Sequence, residues 1–220
     1  MRIKDCNFAD DVLYHVDSNT WVSIAGEVVT VGINTVVAWA FGVFSSISFK
    51  SVGSAIVGGE SLGSIEGPRH FDVVRSPLTG DLVETNELLF RNPKLLNTDP
   101  YGTGWFARLR PSKLEEEAGN LKTVGVAAAR LGEALIELRV RCFGEFPDHE
   151  MFEIGTECAA VLVKLDELIE KEPSGTVVHI VSDDRTSLIE MERWSLQTGQ
   201  LLVESRQEDN LFHFIVKKIV

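Results

Sequence analysis

The sequence predicts an α+β protein in two parts, a β-rich first half and a second half in which strands and helices alternate. Three observations carry this prediction. Short β-branched runs separated by glycine turns fill the chain as far as Arg110. After Pro111 the apolar period lengthens from two residues to three and four. From Glu150 onward the segments follow the order β-α-β-α-β-β, that of a two-layer sandwich with two helices on one face of a mixed sheet.

In the first half, residues 20–24 and 28–31 are β-branched runs joined by the turn Ala25-Gly26-Glu27. Further short strands are expected at residues 46–49, 55–57, 62–65, 73–75, 80–87 and 105–110, punctuated by Gly53, Gly58, Gly59, Gly63 and Gly67. Asn92-Pro93, Asp99-Pro100 and Gly102-Thr103-Gly104 mark loops between them. Residues 28–49 carry no charge and are numerous enough to cross a bilayer. Their polar content (Thr30, Asn34, Thr35, Ser45, Ser46, Ser48) and β-branched ends favour a strand, a short helix and another strand. The middle of the run, from Thr35 to Phe44, is apolar on nearly every face, so it is either buried or turned toward a partner.

Past Pro111, Ser112 is expected to cap a helix whose first turn holds Glu115, Glu116 and Glu117. Val124, Ala128, Leu131, Leu135 and Leu138 then recur at helical steps, a stripe that packs between the two halves or against another copy of the chain. Next come a strand at residues 150–154, a helix at 158–172 stopped by Pro173-Ser174-Gly175, a strand at 176–182 and a helix at 185–197 ended by Gly199. A hairpin of residues 200–204 and 211–216 closes the chain around a polar turn at 206–210.

With 44% hydrophobic residues, the 220-residue chain can build one or two buried cores. A net charge of −12 argues against holding nucleic acid through basic patches and suits a soluble, cytoplasmic protein that meets basic partner surfaces. Cys6, Cys142 and Cys158 are odd in number and form no Cys-x-x-Cys pair. They form no disulfide framework and no zinc knuckle, and point to a reducing compartment with at least one free thiol. The N-terminus MRIKDCNFADD turns acidic before any apolar stretch, unlike a signal peptide. His15, His70, His149, His179 and His213 show no ligand spacing, so no metal is expected, and His179 and His213 read as ordinary sheet positions. Asp183-Asp184 reads as the cap of the second helix of the last part. No phosphate loop, dinucleotide fingerprint or catalytic triad signature is present, so neither a cofactor nor catalysis is expected.

Two stretches of the first half point to a family. Thr20-Trp21-Val22 leads into Val29-Thr30-Val31-Gly32-Ile33, and residues 76–112 read SPLTGDLVETNELLFRNPKLLNTDPYGTGWFARLRPS. With Ser76-Pro77, Gly80 and Asn86, and the run from Asn97 through Asp99-Pro100-Tyr101-Gly102 to Gly104-Trp105 in this spacing, residues 8–118 resemble the glycine cleavage H protein, a lipoyl-carrier fold related to biotinyl domains. The resemblance implies a barrel-sandwich hybrid. In that family a Glu-Ser-x-Lys stretch precedes the Ser-Pro, and its lysine carries lipoate. Counted back from Ser76, Glu66 stands at the glutamate and Arg69 at the lysine, while Lys50 lies on another strand connection. A guanidinium stays charged, with a pKa above about 12, and is a poor nucleophile toward an acyl adenylate. The resemblance therefore implies a carrier fold that is not lipoylated. Two readings of Arg69-His70 stay open: an exposed turn that drifted after losing its role, or a retained docking surface whose positive tip meets an acidic partner or the carboxylate of lipoate.

Residues 148–220 resemble the small TusA/SirA-like sulfur carriers. Those domains place a cysteine, usually in Cys-Pro-x-Pro, where the first strand turns into the first helix, with a proline-glycine turn after that helix and a strand ending in acidic residues. In EIGTECAAVLVKLDELIEKEPSGTVVHIVSDD, Cys158 takes the cysteine position when Gly175 and Asp183-Asp184 are aligned, while Ala159 and Val161 replace both prolines. Taken by itself, Cys158 falls in the first turn of a helix capped by Thr156. Unpaired backbone N–H groups there favour an anion and lower a thiol below its free value of about 8.5. Such a thiolate takes sulfur as a persulfide and hands it to an acceptor thiol. Glu157 opposes the charge, and a small buried packing residue is the other reading of the same cysteine.

These expectations give a glycine cleavage H-protein-like domain over residues 1–118, a helical connector over 119–145 and a TusA/SirA-like domain over 146–220. The function implied is a non-enzymatic carrier or adaptor in sulfur transfer. Cys158 is the candidate persulfide acceptor, and the first domain docks on protein partners of sulfur or lipoate metabolism, without nucleic acid or membrane. The alternative is a structural interaction module with both sites lost; an H protein of glycine cleavage is disfavoured by Arg69. Homo-oligomers through residues 35–44 or through the connector helix are a further expectation.

Overall fold

A computed structural model describes residues 1–219. The chain divides into two compact units, Met1–Cys142 and Phe143–Val220. Residues 119–142, expected as part of a separate connector, belong to the first unit.

The first unit opens with a small hairpin of β1 (Arg2–Ile3) and β2 (Cys6–Asn7). β3 (Leu13–His15), β4 (Thr20–Ala25) and β5 (Val28–Ile33) then run antiparallel to one another, and alternation along β4 and β5 turns Val22, Val29 and Val31 inward. Asn34 ends β5 and starts α1 (Thr35–Ala40). Its side-chain oxygen accepts hydrogen bonds from the N–H groups of Val36 at 3.0 Å and Val37 at 3.4 Å. β6 (Ser46–Phe49), β7 (Ala55–Ile56), β8 (Ser61–Glu66), β9 (Phe71–Arg75) and β10 (Gly80–Thr85) follow. Next come two one-turn helices, α2 (Leu88–Arg91) and α3 (Leu95–Thr98), and β11 (Ala107–Pro111). α4 (Leu114–Glu117), β12 (Lys122–Thr123) and α5 (Val124–Glu137) complete the unit.

Seven strands form one sheet in the order β12-β3-β4-β5-β11-β10-β7, and β6-β8-β9 form a second. Both contribute to one apolar core, in which Val29, Leu82 and Leu109 from the large sheet meet Ile47, Leu62, Ile65 and Val74 from the small one. The charge-free run thus resolves into β5, α1 and β6, and among the described residues no helix is long and apolar enough to cross a membrane.

Thr35, Val36, Val37, Ala38, Ala40, Phe41 and Phe44 are buried while Trp39, Gly42 and Val43 keep part of their surface, so of the two readings of the apolar segment burial describes most of it. Two expectations are corrected here. The helix after Pro111 is not continuous. α4 is a single turn preceded by Lys113 rather than Ser112, and Glu117 bends away to accept from the backbone N–H of Thr79 at 2.7 Å and its hydroxyl at 2.6 Å. Cys6 and Cys142 form a disulfide, so the expectation of no disulfide does not hold, while Cys158 is the one free thiol. The hairpin β1-β2 and α5 share a second apolar cluster with Phe8, Tyr14, Trp21, Val124, Leu131 and Leu135. A left-handed turn at Arg139 (φ +51°) follows α5 and leads the chain to Cys142. With a sequence separation of 136 between the cysteines, no local spacing announces the pair. The buried stripe of α5 is Val124, Ala127, Leu131 and Leu135, while Leu138 is exposed, and it faces this cluster within the first unit.

The second unit contains β13 (His149–Glu153), α6 (Cys158–Lys171), β14 (Val177–Ser182), α7 (Ser187–Thr198), β15 (Leu201–Glu208) and β16 (Leu211–Lys217). The sheet order is β13-β14-β16-β15, with β13 parallel to β14 and the other pairs antiparallel. Val178, Ile180, Phe214 and Val216 on one face pack with Val161, Leu165, Ile169, Met191 and Trp194 of the helices. On the other face residues 143–145 lie across the sheet. Gly144 donates to Glu204 at 2.7 Å, Lys217 pairs with Glu145 at 2.7 Å, and the Phe143 ring sits 4.5 Å from that of His179. The closing hairpin is longer than expected: the turn shrinks to Asp209-Asn210, and along β15 Arg206 pairs with Glu204 and with Glu208.

Candidate functional site

Glu66 pairs with Phe71 across the β8-β9 hairpin, which leaves Gly67-Pro68-Arg69-His70 as its tip. Gly67 closes the turn by donating to the carbonyl of His70 at 3.0 Å. The tip is seated on the end of α1. Arg69 donates its backbone N–H to the Phe41 carbonyl at 3.3 Å, and the Phe41 and His70 rings lie 5.4 Å apart. At the base of the turn Ser45 donates to the Glu66 carbonyl at 2.8 Å. Two glycines make this close approach possible. A Cβ on Gly67 would fall 2.4 Å from the Phe41 carbonyl oxygen, and one on Gly42 (φ +74°) would fall 2.9 Å from Pro68 Cγ. The side chains of Pro68, Arg69, His70 and Phe71 are exposed, Phe71 at 66%. Beside the tip a recess of about 90 Å³ is lined by Asn19, Phe41, Ile65, Asp72 and Arg75 among others.

Cys158, the free cysteine, begins α6 and is buried. The capping position is Glu157, not Thr156, and no side chain of that residue caps the helix. The backbone N–H of Cys158 donates instead to the Asp184 carboxylate at 2.9 Å, so a resident anion already occupies the helix start. Burial, and then the charges of Asp184 and Glu190, push the thiol up to about 11. The expected lowering of this thiol is therefore reversed, and the neutral S–H dominates at neutral pH.

Asp183-Asp184, expected as the cap of α7, does not fill that position: the cap residue is Thr186, and no side chain caps the helix. Asp184 also accepts from the N–H and hydroxyl of Thr186, both at 2.8 Å, and Asp183 accepts from the Gly155 N–H at 2.8 Å. These bonds from Thr186 and Cys158 hold the Asp184 carboxyl below the usual range. Sequence reasoning also passed over the pairing of His179 with His213. The two rings stack, with Nε2 of the first 3.0 Å from Nδ1 of the second. Only the β14-β16 register, which sets His213 opposite Val181, makes them neighbours. Arg69 and Cys158 lie in different units and are each described on their own.

Two sheets around one core, with a tight four-residue turn presented at the end of a hairpin, define the first unit as a lipoyl-carrier type of barrel-sandwich. The model of the glycine cleavage H-protein matches residues 13–133, and the chain belongs to that family. It is 35% identical over 145 residues to glycine cleavage system H protein 5 of Aquifex aeolicus, covering 64% of this chain and 98% of that protein. Identity to the glycine cleavage system H protein of Nostoc punctiforme is 34% over 105 residues, 46% of this chain and 81% of that protein. The crystal structure of a glycine cleavage system H protein from Mycobacterium marinum superposes with a TM-score of 0.51 at 29% identity, covering 56% of this chain and 98% of that one. The family match ends ahead of the second unit.

Proposed function

We propose that the chain is a non-enzymatic docking adaptor: a carrier fold of the H-protein family that presents its hairpin tip to partner proteins without carrying lipoate. The observation that supports this most is the residue at the tip. Arg69 stands where the family's Glu-Ser-x-Lys count places the modified lysine, and the whole stretch between Lys50 and Lys94 contains no lysine. A permanently charged guanidinium does not form the amide that attachment requires. The hairpin is nonetheless held in place by backbone bonds, as a recognition surface requires, with Arg69, His70 and Phe71 outward. Proteins that handle lipoyl groups are the partners proposed, since they recognise this fold.

The experiment is co-expression with a lipoate ligase, followed by intact-mass measurement of the wild type and of Arg69→Lys. The wild type is expected to stay unmodified and the variant to gain the lipoyl increment. A lipoyl increment on the wild type would overturn the reading, and absence of modification on both would remove lipoyl-handling enzymes as partners.

A narrower reading adds sulfur transfer, with Cys158 as persulfide acceptor. Its support is the β-α-β-α-β-β order of the second unit, with the cysteine at the first strand-to-helix turn. Burial and the raised thiol oppose it, so the helix start would have to open first. Treatment with a persulfide donor tests it: added sulfur mass on Cys158, lost in Cys158→Ala, is the supporting result.

A further inference from the structure

The only covalent crosslink among the described residues joins the N-terminal hairpin to the segment after α5, and a continuous set of contacts runs from it to the tip. Cys6 is followed by Asn7, whose carbonyl accepts the Thr35 hydroxyl at 2.5 Å. Thr35 is the first residue of α1, and it is held a second time by the Tyr101 hydroxyl, 2.8 Å from its Oγ1 and 3.1 Å from its N–H. Tyr101 in turn packs edge-on against Tyr14, whose hydroxyl donates to Ala9 just past the N-terminal hairpin at 2.9 Å. At its other end α1 runs into Phe41, whose carbonyl holds Arg69. α1 is only six residues long, too short to be stable by itself, and depends on what pins its two ends.

We propose that the Cys6–Cys142 bond is a redox-controlled clamp on the hairpin tip. In the oxidised state the disulfide keeps β1-β2 against α5, Asn7 stays on Thr35, and α1 offers Phe41 as a rigid seat for Gly67–His70. A dithiol reductant delivers two electrons and two protons. Cys6–Cys142 opens to two thiols while the sulfurs of the reductant join as its own disulfide. The N-terminal hairpin is then held by noncovalent contacts alone, and the start of α1 loses part of its anchor. The crosslink thus has two chemical states, and the tip responds to which one is present, which is what coupling between separate sites requires. Its significance for partner binding rests on the docking role proposed above, but the clamp itself does not.

The test is hydrogen exchange read by mass spectrometry on the full chain, before and after dithiothreitol. Alkylation under denaturing, non-reducing conditions is expected to find one reactive thiol before reduction and three after. Reduction is expected to speed exchange about tenfold or more in residues 1–8, 35–41 and 66–71, and to leave residues 143–219 unchanged. Three alkylatable thiols before reduction, or faster exchange confined to residues 1–8 and 138–142, would overturn the clamp. Since no partner is used, failure of the tip to bind lipoyl-handling proteins would strike the docking role and leave this result standing. Chemical reduction of the wild type also avoids relying on Cys6→Ser, a variant that need not fold.

Discussion

A thiol at a helix start ordinarily gains from the N–H groups around it, and Cys158 shows what happens when a carboxylate arrives there first. Asp184, 26 residues further along the chain, takes the Cys158 N–H and adds its own charge to the cost of burial. At pH 7.5 iodoacetamide is expected to alkylate native Cys158 at least about a hundredfold more slowly than an unstructured cysteine, since so little thiolate is present near a pKa of about 11. Equal rates would place the thiol in solvent. His15 gives a second measurable consequence. Burial lowers it from its usual range against the upward pull of Asp17 and Glu117. A folded pKa below the unfolded one means stability that is complete above about pH 6.5 and is lost as pH falls through the folded value. The urea midpoint should therefore decline between pH 7 and 5, and His15→Gln should flatten that decline; an identical slope in the variant would exonerate the histidine. The sequence singled out Cys158 and Arg69 as the residues to watch. It did not contain the environment of either, because Asp184 and Phe41 reach them through tertiary contacts.

Among the elements, those whose own residues dictate them were legible. Alternation and glycine turns located β4, β5, β6, β8 and β9, and helical steps located α5, α6 and α7. Elements fixed by distant partners were not. The break between α4 and α5 exists because Lys122 and Thr123 pair with Tyr14 and Leu13 across more than a hundred residues, and Glu117 is drawn to Thr79. The single turns α2 and α3, which fall between the strands expected at residues 80–87 and 105–110, are too short to show a period. α5 offers a clean test of which face carries stability. Leu131→Ala is expected to cost about 2–5 kcal/mol in urea unfolding, as for other buried leucines. Ile136→Ala, on the exposed side, should stay within about 0.5 kcal/mol. Similar losses at both positions would mean that the exposed face is covered in solution.

For the whole molecule, the crosslink was not legible in the sequence. Nothing in the spacing of Cys6 and Cys142 betrays a bond that closes 136 residues, since only the folded path of α5 and the N-terminal hairpin brings the sulfurs together. Closing so long a loop restricts the unfolded chain, and opening it is expected to lower the stability of the first unit by about 2–5 kcal/mol. Trp194→Phe leaves Trp21, Trp39 and Trp105, all in the first unit, as the fluorescent reporters, so a reductant should shift their guanidinium midpoint downward. A midpoint that ignores the reductant would show the bond to be absent or idle. The seat of the hairpin on Phe41 bears on encounter. A mobile loop must be ordered each time it is grasped, which weakens binding and slows productive collisions. Four residues already fixed by backbone bonds meet that entropic cost once, during folding. A surface that recognises Arg69 and His70 then associates at the ordinary pace of two rigid bodies, about 10⁵–10⁷ M⁻¹s⁻¹, and the lifetime of the complex is left to the side chains.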